Sequence, residues 1–300
     1  MPAYNKTREY LSKHQLAPTK KLGQNFLVHR HMAEAIVNAG QVKQDDCIIE
    51  VGVGMGALTH PLATQVRKVI GFEVDSGLVQ LHLKEHDLPD NVSLVHQDIL
   101  TVDLSSLADE IGSRIKIMAN LPYSITNPFL FHLLDNRHVI DWATVLVQKE
   151  VADRLTAAPN CKDYGVSTVL FGSCASIKKI LKVKPEEFHP RPKVDSVVVR
   201  IEFHHVHEVE SSYDFSLFNQ IVRSTFGHRR KTLRNTLTSS GIFANTDQNK
   251  SNDRSLAEEA LAKAGINPEC RPETLDVKTF IRLTQACSEL LKQCNLQQHA

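Results

Sequence analysis

Up to about residue 205 short apolar runs alternate with amphipathic helical stretches, a pattern that predicts strands and helices taking turns in a mainly parallel, doubly wound sheet. The predicted strands are Cys47 to Val51, Lys68 to Val74, Ser93 to His96, Ile115 to Ala119, Thr144 to Gln148, Ile177 to Val183 and Ser196 to Phe203. Between them lie helical patterns over Arg30 to Ala39, Ala57 to Gln65, Gly77 to His86, Pro128 to Leu134, Glu150 to Ala157 and Val166 to Cys174. After Glu210 the strand pattern stops. Helical stretches follow over Phe215 to Ser224, Arg229 to Leu237, Ser255 to Ala264 and Asp276 to Lys292, and Ser239 to Asp253 reads as a polar surface loop among them. The expected organisation is an α/β domain over residues 1–208 and a small all-helical domain over 209–300, without internal repeats.

With 42% hydrophobic and 23% charged residues among 300, the chain can build an ordinary globular core. Met1 to Lys21 is polar and basic without an apolar signal core, and no apolar stretch approaches the ~18 residues that span a bilayer. A cytosolic protein without a membrane partner is expected. The six cysteines lack C-x-x-C spacing and read as reduced thiols, while His204, His205 and His207 read as a solvated strand end, so no metal is expected.

A formal net charge of +1 and a pI near 7.7 neither demand nor exclude nucleic acid. Charge distribution says more. Arg223, Arg229, Arg230, Lys231 and Arg234 stand in a stretch with no acid; Lys178, Lys179, Lys182, Lys184, Arg191 and Lys193 outnumber Glu186 and Glu187; Lys6, Arg8, Lys13, Lys20, Lys21 and Arg30 outnumber Glu9. One such run is ordinarily a solvated face, whereas three on one chain predict a surface that tracks phosphates.

The stretch Ile48-Ile49-Glu50-Val51-Gly52-Val53-Gly54-Met55-Gly56-Ala57 runs a strand into a glycine turn and a helix, where backbone can approach a ligand that a side chain would block. The glycines alone suit either an adenosyl-methionine site or the dinucleotide fingerprint. Glu73 ends the next strand, where a carboxylate can accept ribose hydroxyls; Asp98 ends the third, where it can accept from an adenine amine; Asn120 ends the fourth. Each acid alone reads as a solvated or capping residue, but together the three line one rim of a nucleoside pocket. Asn120-Leu121-Pro122-Tyr123 then adds an amide acceptor, a stiff turn and an aromatic face. An exocyclic adenine amine is a poor nucleophile because its lone pair is delocalised into the ring. Acceptors at Asn120 Oδ1 and the Leu121 carbonyl would favour a tetrahedral nitrogen and stabilise the positive charge that develops on it.

With these motifs in hand, and with Leu22-Gly23-Gln24-Asn25-Phe26-Leu27, Phe188-His189-Pro190-Arg191-Pro192-Lys193-Val194-Asp195-Ser196 and Phe226-Gly227-His228-Arg229-Arg230-Lys231-Thr232-Leu233-Arg234-Asn235 in the same order, the chain resembles the ribosomal-RNA adenine dimethyltransferases of the small-subunit type from about Lys20 to about Leu283. The resemblance implies a Rossmann-like class I methyltransferase domain over residues 1–208, carrying a basic N-terminal arm, and a helical RNA-binding domain after it. It implies S-adenosylmethionine as cofactor, held by Gln24, Asn25, Leu27, Glu50, Gly52, Gly54, Gly56, Glu73, Asp98, Ile99 and Asn120. Asn120, Leu121, Pro122 and Tyr123 become the catalytic set, with Phe188 stacking on the opposite face of the target base. Arg191, Lys193, Arg223, Arg229, Arg230, Lys231 and Arg234 become phosphate contacts. The implied reaction is dimethylation of the N6 amines of two adjacent adenosines in the 3′-terminal hairpin loop of small-subunit rRNA, by a monomer acting on an assembling subunit. Val53 stands where the family usually has proline, and Ser124 and Asn127 where it often has asparagine and threonine. Competing readings are a large-subunit rRNA adenine methyltransferase, a non-catalytic RNA-binding assembly or transcription factor on the same fold and, more distantly, an NAD-dependent oxidoreductase.

Overall fold

The computed structural model describes residues 13, 23–204, 212–228, 230–244 and 250–298. Lys6, Arg8, Lys20, Lys21, His205, His207 and Arg229, singled out above, lie outside the described residues. In chain order the strands are β1 (Phe26–Leu27), β2 (Cys47–Val51), β3 (Lys68–Glu73), β4 (Val92–His96), β5 (Ile115–Asn120), β6 (Ile140–Gln148), β7 (Ala175–Val183), β8 (Phe188–His189) and β9 (Ser196–Phe203). The helices are α1 (Arg30–Ala39), α2 (Thr59–Ala63), α3 (Ser76–Glu85), α4 (Leu104–Ile111), α5 (Thr126–Asp135), α6 (Lys149–Leu155), α7 (Val166–Cys174), α8 (Phe215–Phe226), α9 (Leu233–Thr238), α10 (Lys250–Lys263) and α11 (Val277–Gln298).

Seven strands form one sheet in the order β4-β3-β2-β5-β6-β9-β7. Neighbours from β4 through β6 run parallel, and β9 runs antiparallel to β6. This is the expected Rossmann-like α/β architecture, followed by C-terminal helices. The central strands are apolar on both faces because the sheet is covered on both: Ile48, Ile49, Ile117 and Met118 are fully buried. The order of strands puts the carboxyl ends of β2, β3, β4 and β5 side by side, where an open α/β sheet binds its ligand.

Three differences from the sequence reading have local causes. Strand β6 starts at Ile140 rather than Thr144, because Asp141 breaks the apolar run while the next residue, Trp142, is buried beneath the Arg200 guanidinium, 3.7 Å from its ring centroid. Helix α4 has too short an apolar pattern to stand out, yet Asp103 caps it by accepting from the amides of Ser105 and Ser106, and Gly112 ends it at φ 74°. Strands β1 and β8 are two residues each, below the length at which alternation can be read.

Contacts divide the chain into two units, Met1–Ala152 with Ile177–Phe203, and Asp153–Ser176 with His204–Ala300. Residues 153–176 therefore group with the helices rather than with the sheet they follow in sequence. The reason is α7: Val169, Leu170, Phe171 and Cys174 are buried, and the helix packs on α8 and α11 of the second unit. Within that unit Tyr164 donates to the Leu275 carbonyl at 2.8 Å, and Phe226 stacks with Phe280 at a centroid distance of 5.8 Å. Helix α10 begins at Lys250, five residues before the sequence pattern placed it.

Candidate active site

A cleft of about 770 Å³ opens in the first unit at the carboxyl ends of β2, β3, β4 and β5. Of the residues that resemblance assigned to a cofactor, Gln24, Asn25, Leu27, Glu50, Gly52, Gly54, Glu73, Asp98, Ile99 and Asn120 all line it, and so does Pro122 of the tetrapeptide. Gly56 does not line it; it shapes the same turn, with a Cβ at that position falling 2.9 Å from His60 Nε2. Gly54 has φ +59°, and a Cβ there would stand 3.4 Å from the Phe26 ring, so conformation and space both call for glycine.

The glycine turn is wired to the next strand through one carboxylate. Glu73 is buried at the end of β3 and accepts from the amides of Gly54 (2.8 Å), Val74 and Asp75 (both 2.9 Å). The Asp75 carboxylate in turn caps α3 and accepts from Gln24 Nε2 at 2.9 Å. A histidine that sequence reasoning missed completes the frame. His82 Nε2 donates to the Gly54 carbonyl at 2.9 Å, and its Nδ1 lies 2.7 Å from Asp87 Oδ1. No motif marks His82; it sits on α3, 28 residues from its partner in the turn.

Glu50 differs from all of these. It is 1% exposed, and neither carboxylate oxygen makes a hydrogen bond among the described residues. Burial pushes its pKa up to about 8; the nearby Thr59 hydroxyl opposes the rise, without reaching hydrogen-bond geometry, and the charge of Glu73 adds to it. A buried carboxyl group on the cleft wall without a partner among the described residues leaves hydrogen-bonding capacity that a ligand can use. Asp98 is half committed, with Oδ1 accepting from the Leu100 amide at 3.0 Å. The apolar walls, Phe26, Val53, Met55, Phe72, Leu78 and Ile125, were also missed, because nothing distinguishes them in sequence from core residues.

At the far end of the rim, Asn120 Nδ2 donates to the Asn25 carbonyl at 3.2 Å. A carbonyl only accepts, so this bond orients the amide and leaves Oδ1 as its uncommitted end among the described residues. The Leu121 side chain is buried. Pro122 accepts from the Ile125 amide at 3.1 Å and turns the chain into α5. Tyr123 is half-buried, its hydroxyl 2.9 Å from Ser196 Oγ, and burial raises its pKa while Ser196 opposes the rise.

The expectation for Phe188 needs correction. Its side chain is 1% exposed and packs in a core cluster with Leu27, Met118, Leu146 and Val198. Strand β8 pairs with β1, Leu27 opposite Phe188, and His29 Nδ1 meets Glu187 Oε2 at 2.8 Å beside it. In this conformation Phe188 is a core residue with no ring face available to a base, and the peptide bond that follows its neighbour, His189–Pro190, is cis.

Of the basic residues assigned to phosphate, Arg191 and Lys193 are exposed on the loop between β8 and β9, and Arg223, Arg230 and Lys231 are exposed in the second unit. Arg234 is corrected as well: its guanidinium pairs with Glu269 at 2.7 Å and lies 3.9 Å from Glu258, a structural link from α9 to α10 and to the segment after it.

A family model described as Ribosomal RNA adenine dimethylase matches residues 16–267. The Ribosomal RNA small subunit methyltransferase A of Desulfotalea psychrophila is 50% identical over 95% of this chain and 96% of that protein. A protein of the same name from Clostridium botulinum is 37% identical over 95% and 99%. Among solved structures, a dimethyladenosine transferase from Plasmodium falciparum has a TM-score of 0.72 at 24% identity, covering 88% of this chain and 98% of its own. The 23S rRNA methyltransferase ErmE has a TM-score of 0.60 at 24% identity over 88% and 99%. Both structures share the fold.

Proposed function

Because this chain belongs to the ribosomal RNA adenine dimethylase family, and is thus an S-adenosylmethionine-dependent rRNA adenine dimethyltransferase, we propose that the cleft holds the cofactor and that Asn120 and Leu121 grip the adenine amine. The residues present fit such a group. Glycines open the turn, Glu73 keeps acceptor capacity on Oε2 and Asp98 on Oδ2, and Glu50 offers a buried carboxyl group without a partner among the described residues. Gln24, Asn25 and Leu27 stand on the cleft wall as the covering segment. When bound, S-adenosylmethionine supplies a methyl group already activated on a sulfonium, so the chain has to provide position and charge stabilisation rather than a strong base.

The observation that carries this reading is the Asn120–Asn25 hydrogen bond. By taking up the donor end of the amide it presents an acceptor to an amine that carries two hydrogens. The Leu121 carbonyl takes the second hydrogen, and the nitrogen lone pair then turns out of the ring toward the cofactor side. Pro122 limits motion of that backbone, Tyr123 supplies an aromatic face, and the amine sheds its proton to water. Loops of RNA can splay out a base for such a site, while Arg191, Lys193, Arg223, Arg230 and Lys231 hold phosphates.

The finer substrate assignment is small-subunit rRNA, two adjacent adenosines of the 3′-terminal hairpin loop, presented by an assembling subunit in the cytoplasm to a monomer. The names of the relatives, aligned over nearly their whole length, support the small-subunit part of it. Labelled-methyl transfer to undermodified small and large subunits tests it: label should enter dimethyladenosine of small subunits only, and label confined to large subunits would overturn the assignment.

A further inference from the structure

The proline-loop motif ends in a serine that neither the cleft nor the phosphate contacts explain. Ser196 is the first residue of β9, 0% exposed and paired in register with Gln148 of β6. Just before it, the Asp195 carbonyl accepts from the Lys149 amide at 2.9 Å. Two strands thus hold the Ser196 backbone in place, and its hydroxyl meets that of Tyr123 at 2.9 Å, 73 residues away in sequence.

We propose that Ser196 is a positioning residue for methyl transfer, fixing the ring axis of Tyr123 beside Asn120. This rests on the proposed placement of the target base against Tyr123. The phenol oxygen lies on the axis from Cβ through the ring, so one hydrogen bond at the tip and the backbone at the base fix both ends of that axis. Swinging about χ1 is then blocked and only spin about the axis remains. Half-buried as it is, the hydroxyl stays protonated at neutral pH, and either oxygen can donate to the other. The ring belongs to the turn that also presents Asn120 Oδ1, with the Ile125 amide bonded back to Pro122. A tilt of Tyr123 therefore misaligns the stacked base relative to its acceptors without touching the glycine turn.

The experiment is a double-mutant cycle in steady-state methyl transfer to undermodified small subunits, using Ser196→Ala, Tyr123→Phe and both together, with thermal melting of each. Loss of one neutral hydrogen bond should lower kcat about three- to tenfold in either single variant. KM for S-adenosylmethionine should stay within about twofold, since no cofactor-lining group has changed. The double variant should be no slower than the slower single variant, because each removes the same bond. Rate losses that multiply in the double variant, or a parental kcat in Ser196→Ala, overturn the proposal. Should Ser196→Ala melt before assay, Tyr123→Phe decides alone: a parental kcat there overturns it, and a lowered kcat with unchanged KM for S-adenosylmethionine supports it. A parental protein that fails to methylate small subunits would instead sink the functional reading, which separates the two failures.

Discussion

The two ends of the cleft are built on opposite plans. Around the glycine turn nearly every polar group is already spoken for: Glu73 takes three backbone amides, Asp75 takes Gln24 and the α3 amides, and His82 holds the Gly54 carbonyl. Around Asn120 the groups are half committed. Among the described residues Nδ2 is bound and Oδ1 is open, the Tyr123 hydroxyl meets that of Ser196, and Phe188 is withdrawn into the core. Saturated hydrogen bonds make a rigid frame that forms without any partner, and open acceptors mark where a partner completes the structure. Cofactor binding should thus depend on the frame, and catalysis on the open end.

Asn120→Ala is the strongest test of that division. Removing an oriented acceptor of developing charge typically costs on the order of 10²–10³ in rate, so methyl transfer should fall by that much at saturating cofactor, with melting temperature little changed. A parental rate would end the catalytic assignment. Glu50→Gln tests the carboxyl group that the frame leaves unsatisfied among the described residues. In the folded protein its carboxyl titrates near 8 against an ordinary value near 4.5, so between those values the folded state holds a proton that the unfolded state has released. Stability from this group is therefore complete below about 4.5 and is lost as pH rises toward 8, by on the order of a few kcal/mol in total. Melting curves without cofactor should show the parental protein weakening over that window and Glu50→Gln largely immune. An identical pH dependence in both would refute the buried-acid account.

His82→Ala should loosen the glycine turn and weaken S-adenosylmethionine binding by roughly tenfold, the scale of one buried hydrogen bond lost, while kcat at saturating cofactor changes little. Titration calorimetry and saturation kinetics read the two quantities separately, and a kcat loss with unchanged affinity would reverse the division. The smallest contrast concerns the second unit. Arg230→Glu with Lys231→Glu should lower the slope of log affinity for small-subunit RNA against log salt by up to about two. Arg234→Ala should instead lower the melting temperature and leave that slope alone, since its charge is already paired with Glu269.

Much of this was legible along the chain. All seven strands of the sheet, the glycine turn and the Asn120 tetrapeptide follow from periodicity and from residue types whose local roles are narrow: glycine for open backbone, proline for a stiff turn, an acid at a strand end. Phe188 was misread because flanking prolines locate a loop but do not say whether its aromatic points in or out; pairing of β8 with β1 buried it. Arg234 was misread because its run is basic, whereas its partner Glu269 lies 35 residues on.

Local pattern on its own therefore settled the class of fold, the order of its elements and the motifs that mark the family, since these depend on residues two to four positions apart and on short stretches of backbone. Tertiary structure alone decided which side chains are spent and which are free: Glu50 buried without a partner among the described residues, His82 against Gly54, Ser196 against Tyr123, and residues 153–176 joined to the helical unit. Each of those depends on segments that meet only when the sheet assembles, and a hydrogen bond between residues 28 or 73 positions apart leaves no period in the sequence to read.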